Sequence, residues 1–527
     1  MEKRALLAVV LSFIIIALYF TFFAPPPPKR EAPPKREEAV EPREVPPPVA
    51  PISPAPAIPP QEIRVETERM AILFTNRGAS PVSWRLKDYK DRPGKDGRPV
   101  ELLGLDPQSD PLPLQVEFLP TPKGRAGQAV YYMSDGKSQV LNPSRPSAQL
   151  DFRYQFPDGV RVVKSFQLSY NMYSVPLRLT LTNGGGSPWT KSPVITLARP
   201  LPDGDVPMGY VGHIDGKVVR KTLKKVAGEK INASHLLWFA IDEKYFLTAL
   251  IPKGSGPYKI EVERRAGGVI TARLISPPLS LAPGETKAID FTLFFGPKEL
   301  KLLKSFQVGL EDSIDLGWLA FIAKPLLYIL RFFYDFAGNY GLAIILLTVA
   351  IRIVFWPLNE KSFRSMQRMQ KLQPLIARLK ERYKDDKMRL NKEVMNLYKQ
   401  YKVSPLGGCL PMLVQIPILY AMYVTLLYAI ELRHAPFILW IKDLSAKDPT
   451  YITPIVMGGT MFLQQKMTPT TGDPAQAKMM LFMPVIFTVF FLGFPSGLVL
   501  YWLVNNLLSI AQQYYSLRRL GLGVKGG

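Results

Sequence analysis

Long uncharged runs, proline punctuation and short alternating segments succeed one another along this chain. Residues 5–23, ALLAVVLSFIIIALYFTFF, are 19 uncharged residues behind Lys3 and Arg4, and about 20 apolar residues cross a bilayer as a helix. We read them as a retained anchor with its N-terminus inside. A cleaved signal peptide is the alternative, but it carries a shorter apolar run and a small-residue cleavage site, whereas Ala24 and four prolines follow here. In residues 25–60, 15 of 36 residues are Pro, which predicts a semi-rigid spacer that packs against nothing. From about 62 to 305 no long apolar run occurs. Val175, Leu177, Leu179 and Leu181 alternate with Pro176, Arg178, Thr180 and Thr182 before Asn183-Gly184-Gly185, and Ile289, Phe291, Leu293 and Phe295 repeat the pattern. Alternation of period two between turn residues predicts half-buried strands, and many of them predict a large β-sandwich.

Apolar runs return after residue 338. Spans are expected at about 340–358, 406–430, 451–465, 479–495 and 497–514. Residues 479–517 are 39 residues without a charge, about 58 Å as one helix against a hydrocarbon core of about 30 Å. Pro495-Ser496-Gly497 must therefore turn a hairpin. Segment 306–338 is ambiguous. Lys324, Pro325 and Arg331 interrupt its apolar part, and aromatics beside basic residues suit an amphipathic helix lying in the interface.

Charge then sets the topology. Lys and Arg exceed Asp and Glu by 23 over the 527 residues, which fits either nucleic-acid binding or a membrane protein with cations gathered inside. Residues 361–402 hold 13 Lys and Arg against four acids and belong inside. With the anchor, this gives six spans, both termini inside, and the β-rich domain outside. A single cysteine, Cys409, excludes an intrachain disulfide and Cys-based zinc or iron–sulfur sites.

Arg352 lies within an apolar run, about 9 Å from its inner end. One reading is snorkelling toward headgroups. The other is a water-filled cavity that attracts an acidic ligand, since a charge at such depth costs on the order of 3 kcal/mol. Thr348 lies one turn away, and other spans carry Gln415, Asn505, Asn506, Gln512 and Gln513. Amides also serve as glue between helices, but several of them with an arginine can line a polar interior. No expected span carries Asp or Glu and no Walker A loop occurs, which argues against proton pumping and ATP hydrolysis.

Met366, Met369, Leu372, Ile376, Leu379 and Tyr383, then Leu390, Val394, Leu397 and Tyr401, step by three or four and predict a basic helical hairpin. Its role is either a solvated anchor or a dock for a ribosome or an acidic factor. The three histidines, His213, His235 and His434, belong to no motif, and a lone His is most often structural.

The segments LQPLIARLKERYKDDK (372–387), PLGGCLPMLVQIPIL (405–419), ELRHAPFILWIKDLSAKDP (431–449) and FMPVIFTVFFLGFPSGLVLYWLVNN (482–506) resemble the bacterial YidC membrane protein insertase family. The anchor, spacer and outer domain resemble its Gram-negative members with a large periplasmic domain. The resemblance implies a polytopic α-helical membrane protein of six transmembrane helices, five forming a conserved insertase core over 339–517, plus an all-β periplasmic supersandwich domain. It implies a groove open to cytoplasm and lipid, with Arg352 as its arginine and Thr348, Gln415, Asn505, Asn506 and Gln512 around it. It further implies a substrate slide with Met412, Ile416, Tyr420, Phe487 and Phe490, and hairpin contacts by Arg378, Lys380, Arg382, Lys384, Lys387 and Arg389. Implied partners are nascent membrane proteins, SecYEG and SecDF, the ribosome, the signal recognition particle with its receptor, and lipids, with no cofactor and no catalysis. The short cytoplasmic tail 518–527 lacks the long basic extension of some relatives, which argues against a ribosome contact through it. Two other functions remain open on the residues alone: a solute transporter or lipid flippase using the same groove, and a tethered carbohydrate enzyme.

Overall fold

The two alternating segments around Val175 and Phe291 pair with each other. Leu179 lies opposite Ile289, Leu177 opposite Phe291 and Val175 opposite Leu293, so their apolar residues share one buried face while Arg178 and Asp290 point outward as a salt bridge. These strands, Ser174–Asn183 and Thr286–Pro297, sit inside an eight-stranded sheet that runs from Lys217–Thr222 at one edge to Ser147–Gln155 at the other. A six-stranded and a five-stranded sheet complete the β-rich part. The computed structural model describes residues 58–527 except 95, 109–110, 121–128, 203–205, 227, 255, 266, 402, 404–409, 469–473 and 520–527. The anchor at 5–23, most of the proline-rich spacer, Cys409 and the last eight residues of the tail lie outside the described residues.

Between the sheets, Trp84, Trp238, Phe152, Phe166 and Phe295 are fully buried, as burial of apolar area demands. Lys164 is buried with them, and its Nζ donates to the carbonyls of Gly78, Ala79 and Leu114 at 2.8, 2.6 and 2.8 Å. Three donors thus meet three acceptors without a carboxylate.

After a short helix α1 (Leu300–Lys304) the chain reaches α2 (Ala320–Ala337). Asp242 of the eight-stranded sheet lies 2.6 Å from the Lys298 ammonium as an ion pair and accepts from Arg220 at 2.8 Å, and Arg220 also donates to the carbonyl of Ser313 at 2.7 Å. This network fixes the approach to α2. Along α2, Ala323, Leu326, Leu327 and Leu330 face inward while Phe321, Phe332 and Phe336 are exposed. Its two cations have protein partners: Lys324 bonds Asp312 at 2.7 Å and Arg331 lies 3.5 Å from Glu431. A helix N-terminus, a polar patch and an aromatic face therefore coexist on one amphipathic element.

The helical part contains α3 (Tyr340–Lys371), α4 (Gln373–Arg382), α5 (Lys387–Gln400), α6 (Leu410–Tyr428), α7 (Ile452–Met467), α8 (Pro474–Phe491) and α9 (Ser496–Arg519). Among the described residues α3 is long and apolar enough by itself to cross a membrane, and Val414–Tyr428 and Met480–Phe491 are shorter apolar helices. Where the spacing placed the end of a span near Leu358, α3 runs on through Pro357 into the basic region. The break comes instead at Leu372, where Pro374 occupies the first turn of α4, a position that proline tolerates because its missing N–H has no helical partner there. Met369, Leu372, Ile376 and Val403 bury a small core against Val394 and Leu397, while Tyr401 of the second stripe is exposed.

Candidate functional site

Residues 352, 355 and 359 fall on one face of α3 by the helical repeat. Arg352, Phe355 and Asn359 line a small cleft with Ile351 and Leu358, together with Gln415 and Ile418 of α6 and Asn505 of α9. The neighbouring Ile353 and Val354 point outward and are exposed. Arg352 is thus on the inner side of its helix, where snorkelling alone would not require it to be.

The guanidinium is held by α9. Its Nε donates to Asn505 Oδ1 at 2.9 Å, and its Nη2 donates to the Asn505 carbonyl at 2.9 Å and to the Ser509 hydroxyl. Ser509 in turn donates to the Asn505 carbonyl at 2.7 Å. Gln415 Nε2 reaches the same Asn505 Oδ1 at 3.4 Å. Every one of these acceptors is neutral. The cation is oriented but its charge is not cancelled, so its field extends into the cleft.

Four of the other polar residues singled out in the sequence have other partners. Thr348 is buried and donates to the Ile344 carbonyl of its own helix at 2.6 Å, a bond that polar β-branched residues make within helices. Asn506, about 100° around α9 from Asn505, bonds Thr460 of α7 at 3.4 Å. Gln513 continues that seam to Thr468. Gln512 donates to the Trp356 carbonyl of α3 at 3.2 Å, a rung nearer the end of α9 where Ser516 also bonds Glu360. Ser509 was not singled out from the sequence, although its place one turn after Asn505 is the signal that identifies it.

Of the five slide residues, Ile416 and Phe490 are exposed. Tyr420 packs near Trp318, and Phe487 stacks with Trp502 at 6.3 Å between ring centres. The side chain of Met412 lies outside the described residues. On the hairpin, Arg378, Lys380, Arg382, Lys384 and Arg389 are exposed, and Arg382 and Arg389 lie 5.9 and 5.4 Å from the Tyr383 ring centre. The Lys387 side chain lies outside the described residues.

Opposite the hairpin, the loop 431–451 folds onto the helix ends. Ser496 donates to the Ala446 carbonyl through both its N–H and its hydroxyl at 2.7 Å, and Gly497 N–H bonds the Leu444 carbonyl at 2.9 Å. Asp448 gathers Trp440, Thr450 and Thr453, and against the upward push of burial the hydrogen bonds from Thr453 and Thr450 hold its carboxyl down to about 2.

Known proteins are similar to this sequence. The family model described as the 60Kd inner membrane protein matches residues 332–521, and that of the YidC periplasmic domain matches residues 62–329. A membrane protein insertase YidC of Syntrophus aciditrophicus is 42% identical over 461 residues, covering 86% of this chain and 84% of its own. That of Geotalea daltonii is 41% identical over 542 residues and covers 98% and 99%. Among solved structures, a crystal structure of an active YidC insertase with its first transmembrane domain resolved spans 98% of this chain and 100% of its own, at 19% identity and a TM-score of 0.37. Two family models that together take in the β-rich part and the helical core, with a relative 41% identical along almost the whole chain, place this protein in the YidC family of membrane protein insertases.

Proposed function

We propose that this chain inserts inner-membrane proteins and helps them fold, alone or with the SecYEG translocon and SecDF, through the groove around Arg352. The observation that carries this reading is the cation held by neutral partners beside an open cleft. A polar groove partway into the bilayer shortens the dry path for the short acidic tail of an incoming protein, and the arginine draws that tail in. The apolar segment of the substrate meanwhile moves along the slide of Met412, Ile416, Tyr420, Phe487 and Phe490 into lipid. Burial of its apolar area drives the transfer, with no cofactor and no covalent chemistry.

In this reading the anchor and α3, α6, α7, α8 and α9 make six spans, both termini are cytoplasmic and the β-rich domain is periplasmic. Helix α2 lies in the outer interface with Phe321, Phe332 and Phe336 toward lipid. The cations Arg378, Lys380, Arg382, Lys384, Lys387 and Arg389 of the hairpin meet the ribosome, the signal recognition particle or its receptor. Thr348, Asn506 and Gln512 support the groove by packing its helices.

The test is insertion of a purified single-span substrate with an acidic N-terminal tail into liposomes holding the wild type or Arg352→Ala, scored by protease protection of the tail. Loss in the variant, with recovery when the tail is made neutral, is the expected result. Equal insertion by both proteins overturns the role of Arg352, and no insertion by the wild type overturns the function.

A further inference from the structure

A guanidinium grips a carboxylate best with two parallel N–H donors, and the edge formed by Nε and Nη2 is one of the two forks able to do so. In this protein that edge is occupied. Nε is committed to the Asn505 side chain, and Nη2 to the Asn505 carbonyl and the Ser509 hydroxyl. Both residues are buried, at 8% and 4% exposure, so water does not compete for the positions. Among the described residues Nη1 makes no hydrogen bond within this set.

From this geometry we propose that Asn505 and Ser509 are positioning residues that limit the grip of Arg352, so that a substrate carboxylate is taken at Nη1 alone and is released again. The inference rests on the groove reading above and adds its regulation. A transport site must bind well enough to admit its cargo and weakly enough to let it leave. An isolated arginine in a partly dry groove would hold an acidic tail by the full fork. The α9 clamp withholds one of the forks, shares Nη2 with two acceptors, and fixes the plane of the guanidinium. It does so with neutral acceptors only, so long-range attraction is kept while the short-range bond is reduced.

The proposal has a sign that a purely structural role lacks. Asn505→Ala/Ser509→Ala frees Nε and one of the two Nη2 protons, the backbone carbonyl of residue 505 keeping the other, so an acidic tail can use the fork, stays longer, and insertion turns over more slowly. The experiment uses the full chain in liposomes with a photo-crosslinking residue at Ile418, which lines the cleft, and a single-span substrate whose tail is acidic or neutral. Crosslinked tail is followed during a chase with unlabelled substrate. One added charge-assisted hydrogen bond corresponds to about a tenfold longer residence. That increase for the acidic tail, no increase for the neutral one, and wild-type behaviour of Ser509→Thr, which keeps the hydroxyl, are the expected results. Residence unchanged or shortened in the double variant overturns the clamp while leaving the groove reading intact. A wild type that crosslinks acidic and neutral tails alike overturns the groove reading and the clamp with it.

Discussion

Arg352 on α3 donates its Nε–H to the Oδ1 of Asn505 on α9 at 2.9 Å, across 153 positions of sequence. The charge of one helix is therefore aimed by the amide of another. Arg352→Lys keeps the charge but replaces a planar fork with a flexible point donor. We expect insertion of an acidic-tail substrate to fall about threefold to tenfold, between wild type and Arg352→Ala, because an ammonium released from Asn505 bends toward headgroups. Initial rates in proteoliposomes check this, and a lysine variant as active as wild type would show that orientation is unimportant.

Gly341 in the first turn of α3 faces Phe437 of the loop 431–451. A Cβ there would stand 1.9 Å from the Phe437 ring, while Asn339 caps the same helix end and bonds the Phe437 carbonyl at 3.2 Å. Gly341→Ala should cost about 1–3 kcal/mol through overpacking. Thermal unfolding of the purified full chain measures it, and the pair Gly341→Ala/Phe437→Ala should show a favourable coupling, since the second change removes the clash.

Asp448 ties the same loop together, and its carboxyl lies at about 2 against an ordinary value of about 3.9. A carboxylate with a depressed value stabilises the folded loop above its unfolded value, and the contribution is lost as pH falls from about 4 through about 2. Asp448→Ala should speed amide exchange in 431–451 at neutral pH, where Thr450 and Thr453 lose their acceptor. Asp448→Asn should flatten the acid dependence; a loop whose exchange is equally acid-sensitive in that variant would contradict the assignment.

Burial holds the Lys164 amine well below its ordinary value, and no carboxylate offsets it. As pH falls below about 10.4 the unfolded chain takes up a proton that the folded domain resists, so stability from this residue is highest at alkaline pH and decreases toward its lowered folded value. Lys164→Met removes that slope and strands the carbonyls of Ala79 and Leu114, while that of Gly78 keeps the Ser80 hydroxyl, at a cost on the order of 3 kcal/mol at pH 10. Denaturation of the full chain followed by the buried Trp84 and Trp238 tests both points.

Sequence by itself determined a good deal here. Period-two alternation defines the strands at Val175–Leu181 and Ile289–Phe295 because a half-buried sheet admits no other spacing of apolar residues. Runs without charge mark the helices of the core, the hairpin stripes mark its small buried core, and Arg352 is conspicuous because charge within such a run is costly. Motif resemblance leads to the family.

The tertiary structure alone decided which polar residues share an interior. Asn505 and Asn506 are equivalent in composition, yet a step of about 100° sends one to Arg352 and the other to Thr460 of α7. Thr348 is one turn from the arginine, but its hydroxyl is satisfied by its own helix. Ser509, unremarkable in sequence, completes the clamp. The cations of α2 look like lipid anchors until Asp312 and Glu431 are seen beside them. Helical periodicity assigns each residue to a face; which face meets which neighbour depends on the rotation and packing of helices far apart in the chain, and those are settled only when the whole core assembles.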